Sequence, residues 1–223
     1  MAGKHARRTG LTVIAVVLVI GSYFLMMAVL DRSPWLNFEV VHEGRLLRSG
    51  QAQEADLEWM HEEYGLETII NLRGKSDGHQ NIFAHNNNIR MVVLDMSADD
   101  PPTPRQMEFF FSIMRGDTID MREYEDILEK TTAVQKKKVK FELPVLIHCQ
   151  GGSDRTGVMV ALYRMAFQGW DLEEAKNEMM SHWHIPFAHP RQFEFLEEMS
   201  EKIESENLSV HHKPIKVSSA SDR

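Results

Sequence analysis

Short apolar runs, separated by glycine, proline and polar clusters, give this chain an alternation of strand and helix signals. Val145-Leu146-Ile147 reads as a buried central strand, two glycines then allow an unusual backbone path, and a helical pattern opens at Thr156 and closes near Gln168. Thr68 to Leu72 and Ile89 to Leu94 read as further buried strands. Between them, residues His79 to Asn88 form a short polar helix. Phe38 to Val41 and Arg45 to Arg48 flank His42-Glu43-Gly44 as the arms of a hairpin. Ala55 to Tyr64 predicts an amphipathic helix closed by Gly65, and Thr103 with Pro104 starts another that carries apolar positions from Met107 to Met114 and stops at Gly116. A helix is expected over Asp120 to Val134, one capped by Asp171, and a last one over Arg191 to Ile203. The alternation predicts an α/β fold with a central, mostly parallel sheet flanked by helices.

One run departs from that pattern. Leu11 to Leu30 is apolar and uncharged, long enough as a helix to span about 30 Å of hydrocarbon. Lys4, Arg7 and Arg8 precede it, which orients a retained single-pass transmembrane helix with its N-terminus in the cytoplasm. The competing reading is a cleaved signal peptide, although Ala28-Val29-Leu30 supplies no small-x-small site. Both readings export the chain beyond residue 30. The expected organisation is a basic cytoplasmic segment over 1–10, the anchor over 11–30, a linker over 31–37, a catalytic domain over 38–204 and a disordered polar tail over 205–223. A bacterial inner membrane with the domain on the periplasmic side is the expected placement.

Composition narrows the function. With 43% hydrophobic and 26% charged residues, 223 residues hold one ordinary domain plus short appendages. A net charge of -8 without an arginine stripe argues against a nucleic-acid partner. The single cysteine excludes an internal disulfide and multi-cysteine metal sites.

That cysteine opens the stretch His148-Cys149-Gln150-Gly151-Gly152-Ser153-Asp154-Arg155-Thr156-Gly157. Five residues between thiol and guanidinium let the chain curl so that successive N–H groups share one cup above a helix N-terminus, which is an anion cradle. The backbone dipoles and Arg155 favour the thiolate of Cys149, the nucleophilic form, and the planar fork of Arg155 suits two phosphoryl oxygens. His-Cys-x2-Gly-x2-Arg-Thr-Gly between strand and helix resembles the signature loop of the cysteine-based protein tyrosine and dual-specificity phosphatases, and the likeness runs over roughly residues 38 to 200. Asp154 immediately before Arg155 also resembles the loops of myotubularin-type and Sac-type phosphoinositide phosphatases.

The resemblance implies a cysteine phosphatase fold and a two-step phosphomonoester hydrolysis through a cysteinyl-phosphate, with no cofactor or metal. In that scheme Cys149 attacks phosphorus, while Arg155 and the loop residues Gln150, Gly151, Gly152, Ser153 and Thr156 bind the phosphoryl oxygens. The Thr156 hydroxyl is placed to bond the Cys149 sulfur. His148 is expected either to orient the loop from beneath or to pack at the strand end. Arg48, in the segment Leu47-Arg48-Ser49-Gly50-Gln51, is a candidate substrate contact or a surface residue. The acid that protonates the leaving oxygen is either Asp99, on the proline-stiffened loop Asp95 to Pro104, or Asp154 within the cup. Expected substrates are phosphotyrosine or related phosphate esters on proteins. The alternatives are a lipid or inositol phosphate at the membrane surface, towards which the basic run Lys136 to Lys140 also points, and an inactive phosphate-binding module.

Overall fold

The computed structural model describes residues 15–23, 25, 36–75, 77–128 and 138–205. Residues 15–23 are helical and exposed, and no helix among the described residues is long and apolar enough to cross a membrane. Half of the apolar run 11–30, the linker from 31 to 35 and the tail from 206 lie outside the described residues.

Five strands form a mixed sheet: β1 (Glu39–His42), β2 (Leu46–Ser49), β3 (Thr68–Asn71), β4 (Arg90–Val93) and β7 (Val145–His148), in the order β1-β2-β7-β3-β4. The β1–β2 hairpin is antiparallel, and β2, β7, β3 and β4 run parallel. The central strands read as continuous apolar runs because both sheet faces are covered. Val145 and Ile147 of β7 and Ile70 of β3 join the larger core. Leu146 and Ile69 point the other way, into a smaller core. Helices α3 (Pro104–Arg115), α4 (Asp154–Gln168), α5 (Leu172–Ser181) and α6 (Pro190–Ser205) contribute to the larger core, while α1 (Glu54–Tyr64) and α2 (Gly78–Asn86) contribute to the smaller one.

The helix signals act as the sequence indicates. Thr103 and Gln106 form a reciprocal capping box with Pro104 at the first helical position, and Gly65 and Gly116 end their helices in left-handed conformations. Helix α4 begins at Asp154 rather than Thr156, which places Asp154 in its first turn.

Over its described part, to Leu128, the helix expected over Asp120 to Val134 is replaced by other structure. Thr118–Asp120 is strand β5, paired antiparallel with β6 (Lys138–Lys140), and a 3-10 turn over Met121–Tyr124 follows. Ile119 and Val139 enter the core while their neighbours Thr118, Lys138 and Lys140 face out, so burial with a period of two outweighs helix propensity. The Asp120 side chain accepts the Arg122 N–H and starts the 3-10 turn. Residues 129–137, with two lysines of the basic run, lie outside the described part.

Register brings the site together. Ser49 pairs with His148, His148 with Asn71, and Asn71 with Val93, so the carboxyl ends of four parallel strands finish in one row. The loops after them leave from this one edge, where open α/β sheets place their ligands.

Candidate active site

The loop after β7 begins at Cys149, which is 3% exposed, and bends back towards its own thiol. The Gly152 N–H donates to Cys149 Sγ at 3.3 Å. Gly152 has φ +73°, and a Cβ there would lie 2.7 Å from the Gly50 nitrogen, so only glycine allows the loop to turn this close to β2. The Ser153 carbonyl accepts the Gly157 N–H at 2.8 Å and starts α4, whose N-terminus lies at the base of the cup.

Neighbouring chain ends lace the loop in place. The Gln51 N–H donates to the Gln150 carbonyl (2.9 Å), and the Asn37 side chain donates to the Gly151 carbonyl (3.0 Å). Arg48 is fully buried and donates through Nη2 to the Gly152 carbonyl at 2.7 Å. Burial pulls its guanidinium down to about 10, against the opposing fields of Glu178, Glu39 and Cys149, and leaves it a cation at neutral pH. Arg48 therefore holds the loop's backbone from beneath and is not a surface residue.

Arg155 closes the cup from the other side. Its Nη1 makes two long bonds, 3.4 Å each, to the carbonyls of Leu72 and Met96, the exits of β3 and β4. Its Nε is buried without a partner. These are donors in reserve, the state expected of a guanidinium awaiting an anion.

His148 is fully buried, and its Nδ1–H donates to the Cys149 carbonyl at 3.2 Å. Burial pushes its imidazole down to about 4, assisted by the charges of Arg73 and Arg155, so it is neutral at physiological pH and orients the loop from beneath. Thr156 Oγ1 is buried and makes no hydrogen bond, so the expected bond to the Cys149 sulfur is not formed.

The two aspartates differ in setting. Asp154 Oδ1 accepts from the buried His184 Nδ1 at 2.8 Å, and Oδ2 accepts from the Ser153 hydroxyl at 3.3 Å. Burial alone would raise this carboxyl, but the His184 bond and the fields of His189 and His184 outweigh it and hold it below the usual carboxylate value. The Asp99 side chain is 81% exposed and lies 3.3 Å from His189 Nδ1. The Ser97 hydroxyl accepts the N–H groups of Asp99 and Asp100, each at 3.2 Å, and shapes the loop.

Asn37, His184 and His189 escape sequence reasoning because their partners are distant along the chain. The histidines near Pro186 invite a metal reading, yet among the described residues no group of three or more histidine, cysteine or carboxylate side chains is arranged to hold an ion. Their use is to hold carboxylates.

The model of the tyrosine phosphatase family matches residues 33–178. The dual specificity protein phosphatase TpbA of Pseudomonas aeruginosa is 40% identical over 64 residues, a stretch that covers 29% of this chain and 27% of that protein. Among solved structures, the core catalytic domain of the PP-IP phosphatase SIW14 from S. cerevisiae gives a TM-score of 0.54 at 21% identity, covering 77% of this chain and 93% of the other. The P. aeruginosa TpbA structure gives 0.53 at 20% identity, covering 79% and 91%. TpbA has also been solved in complex with phosphotyrosine. At these identities the likeness to solved structures speaks for the fold.

Proposed function

The chain belongs to the tyrosine phosphatase family, and from that premise we propose that it is a cysteine-dependent phosphomonoesterase acting on phosphotyrosine or related phosphate esters. The observation that carries the reading is the pairing of a thiol that accepts a loop N–H with a guanidinium whose donors are largely unspent. In the first step the Cys149 thiolate forms a bond to phosphorus as the ester P–O bond breaks. Arg155 and the loop amides hold the equatorial oxygens, and an aspartic acid gives its proton to the departing oxygen. In the second step water attacks the cysteinyl-phosphate, its proton passes to the aspartate, and the P–S bond breaks to return the thiolate.

Asp99 is the acid in this reading. Asp154 is engaged at 2.8 Å by the buried His184, whereas Asp99 is exposed on a loop whose start at Met96 touches Arg155. Phosphate release from para-nitrophenyl phosphate, abolished by Cys149→Ser, is the expected result. Release that survives this change overturns the mechanism, and no release by the wild type favours a phosphate-binding module.

A second reading, a lipid or inositol phosphate at a membrane surface, is favoured by the loop between α5 and α6. It exposes Trp183 (59%), Ile185 (48%) and Phe187 (88%) next to His184, which bonds the cup. The apolar run 11–30 supports a membrane-anchored domain outside the cytoplasm. A panel comparing phosphotyrosine peptides with phosphoinositides in vesicles separates the substrates, with the peptides expected to be the better ones. A C-terminal topology reporter tests the placement, and a cytoplasmic signal sinks it.

A further inference from the structure

The first turn of helix α6 and His189, the residue before it, grip the aspartate loop at three residues. Gln192 Nε2 donates to the Ala98 carbonyl at 2.9 Å, His189 Nδ1 lies 3.3 Å from Asp99 Oδ1, and Arg191 Nη1 donates to Asp100 Oδ1 at 2.6 Å. On its other side His189 turns to the phosphate cup, where its Nε2 lies 3.9 Å from Asp154 Oδ2. His189 thus stands between the two aspartates, and the buried His184 fixes the one belonging to the cup.

We propose that His189 is a positioning residue that registers Asp99 over the cup, with Arg191 and Gln192 holding the loop beside it and Asp154 acting through His189 rather than on the leaving group. This rests on the phosphatase reading above. The Asp99 side chain is 81% exposed, and the backbone N–H groups of Asp99 and Asp100 are tied from within the loop by the Ser97 hydroxyl alone. A loop so lightly held would spread its carboxyl over several positions, and a misplacement of about 1 Å can cost on the order of 100-fold in rate.

The grip is made where it can work. Gln192 is fully buried and its bond to Ala98 is partly screened from water, whereas the Arg191–Asp100 pair is exposed and contributes direction more than stability. His189 Nδ1 is buried and forms no aligned hydrogen bond in the resting protein. It is a polar group kept in reach of Asp99, and such contacts tighten when substrate arrives. The division of labour also follows from environment, since two carboxylates in one site take different roles when their surroundings differ.

The test compares the full-length wild type with variants on two aryl phosphates, phenyl phosphate with its poor leaving group and para-nitrophenyl phosphate with a good one. Asp99→Asn is expected to lose about 100-fold in kcat on phenyl phosphate and less than about 3-fold on the nitrophenyl ester. His189→Ala is expected to show the same selective loss at about 10-fold, His189→Gln to recover part of it, and the double variant with Asp99→Asn to be no worse than Asp99→Asn alone. Arg191→Ala, an exposed change that leaves the core intact, should give a selective loss of about 3-fold. A His189→Ala loss equal on both esters, or one that multiplies with Asp99→Asn, overturns the proposal. So does a leaving-group-selective loss in Asp154→Asn larger than that of Asp99→Asn. Release of no phosphate from either ester by the wild type would instead defeat the phosphatase reading, and this inference with it.

Discussion

Arg155 and Arg164 sit on the same helix and are used in opposite ways. Arg164 has its donors occupied: Nε meets both oxygens of Glu178 (2.9 and 3.1 Å), and Nη1 meets the Val41 carbonyl (2.6 Å) and Gln168 (2.8 Å). Its Nη2 reaches Glu178 and Glu39, and the Trp170 ring lies 4.2 Å from its carbon centre. Arg155 has two long bonds to carbonyls, an unpartnered Nε and no carboxylate partner among the described residues. One guanidinium is committed to folding and the other has donors left unspent. The difference lies in what surrounds each charge, and residue type alone does not reveal it.

The sharpest way to break the contrast is to remove each arginine and ask what is lost. Arg155→Ala should lower kcat/KM on aryl phosphates by about 10³ to 10⁵-fold, the range for an arginine that stabilises a phosphoryl transition state, with the urea midpoint nearly unchanged. Steady-state kinetics beside a denaturation curve checks both halves. Arg164→Ala should do the reverse. It strands Glu178, which is 8% exposed at its side chain, and should cost about 3–5 kcal/mol of stability while the folded fraction keeps its turnover. Equal effects on activity and stability in both variants would erase the distinction.

A third prediction concerns His148, the neutral group beneath the loop. His148 stays unprotonated in the folded protein until about pH 4, whereas in the unfolded chain it takes a proton near 6.5. Its contribution is therefore complete above about pH 6.5, falls as the pH drops towards about 4 and levels off below. At about 1.4 kcal/mol for each pKa unit the total is about 3 kcal/mol. Urea midpoints between pH 7 and pH 4 should show this slope in the wild type and lose it in His148→Asn. The smallest effect is expected at Gly152. Its φ of +73° and close approach to Gly50 should make Gly152→Ala cost about 1–3 kcal/mol, read from the same midpoints, and weaken the Arg48 support.

Much of this architecture is legible in the sequence because it depends on local signals. Apolar runs mark β3, β4 and β7, and Thr103, Pro104, Gly65 and Gly116 mark helix ends. The described ends of the segment from 118 to 140, 118–128 and 138–140, are misread because the pairing of Ile119 with Val139 is a contact between distant residues, and a window of sequence sees only propensity. The site divides in the same way. The letters from Cys149 to Thr156 announce an anion cradle, but the buried place of Arg48, the His184 bond to Asp154 and the approach of His189 to Asp99 arise only when separate elements meet. Along the sequence the two aspartates look equivalent for that reason.

The lacing of the cup has a consequence for how the site comes into being. Asn37 and Gly151, joined by a hydrogen bond, lie 114 residues apart in the chain, and Arg48 and Gly152 lie 104 apart. A peptide spanning 144–168 would carry the signature letters and the helix, yet it would have no Asn37, Arg48 or Gln51 to hold its carbonyls away from the centre. Forming the cup requires closure of long loops, the slow class of contact in folding. Activity is therefore a late marker of assembly in this chain, and its return on refolding should trail the recovery of helix.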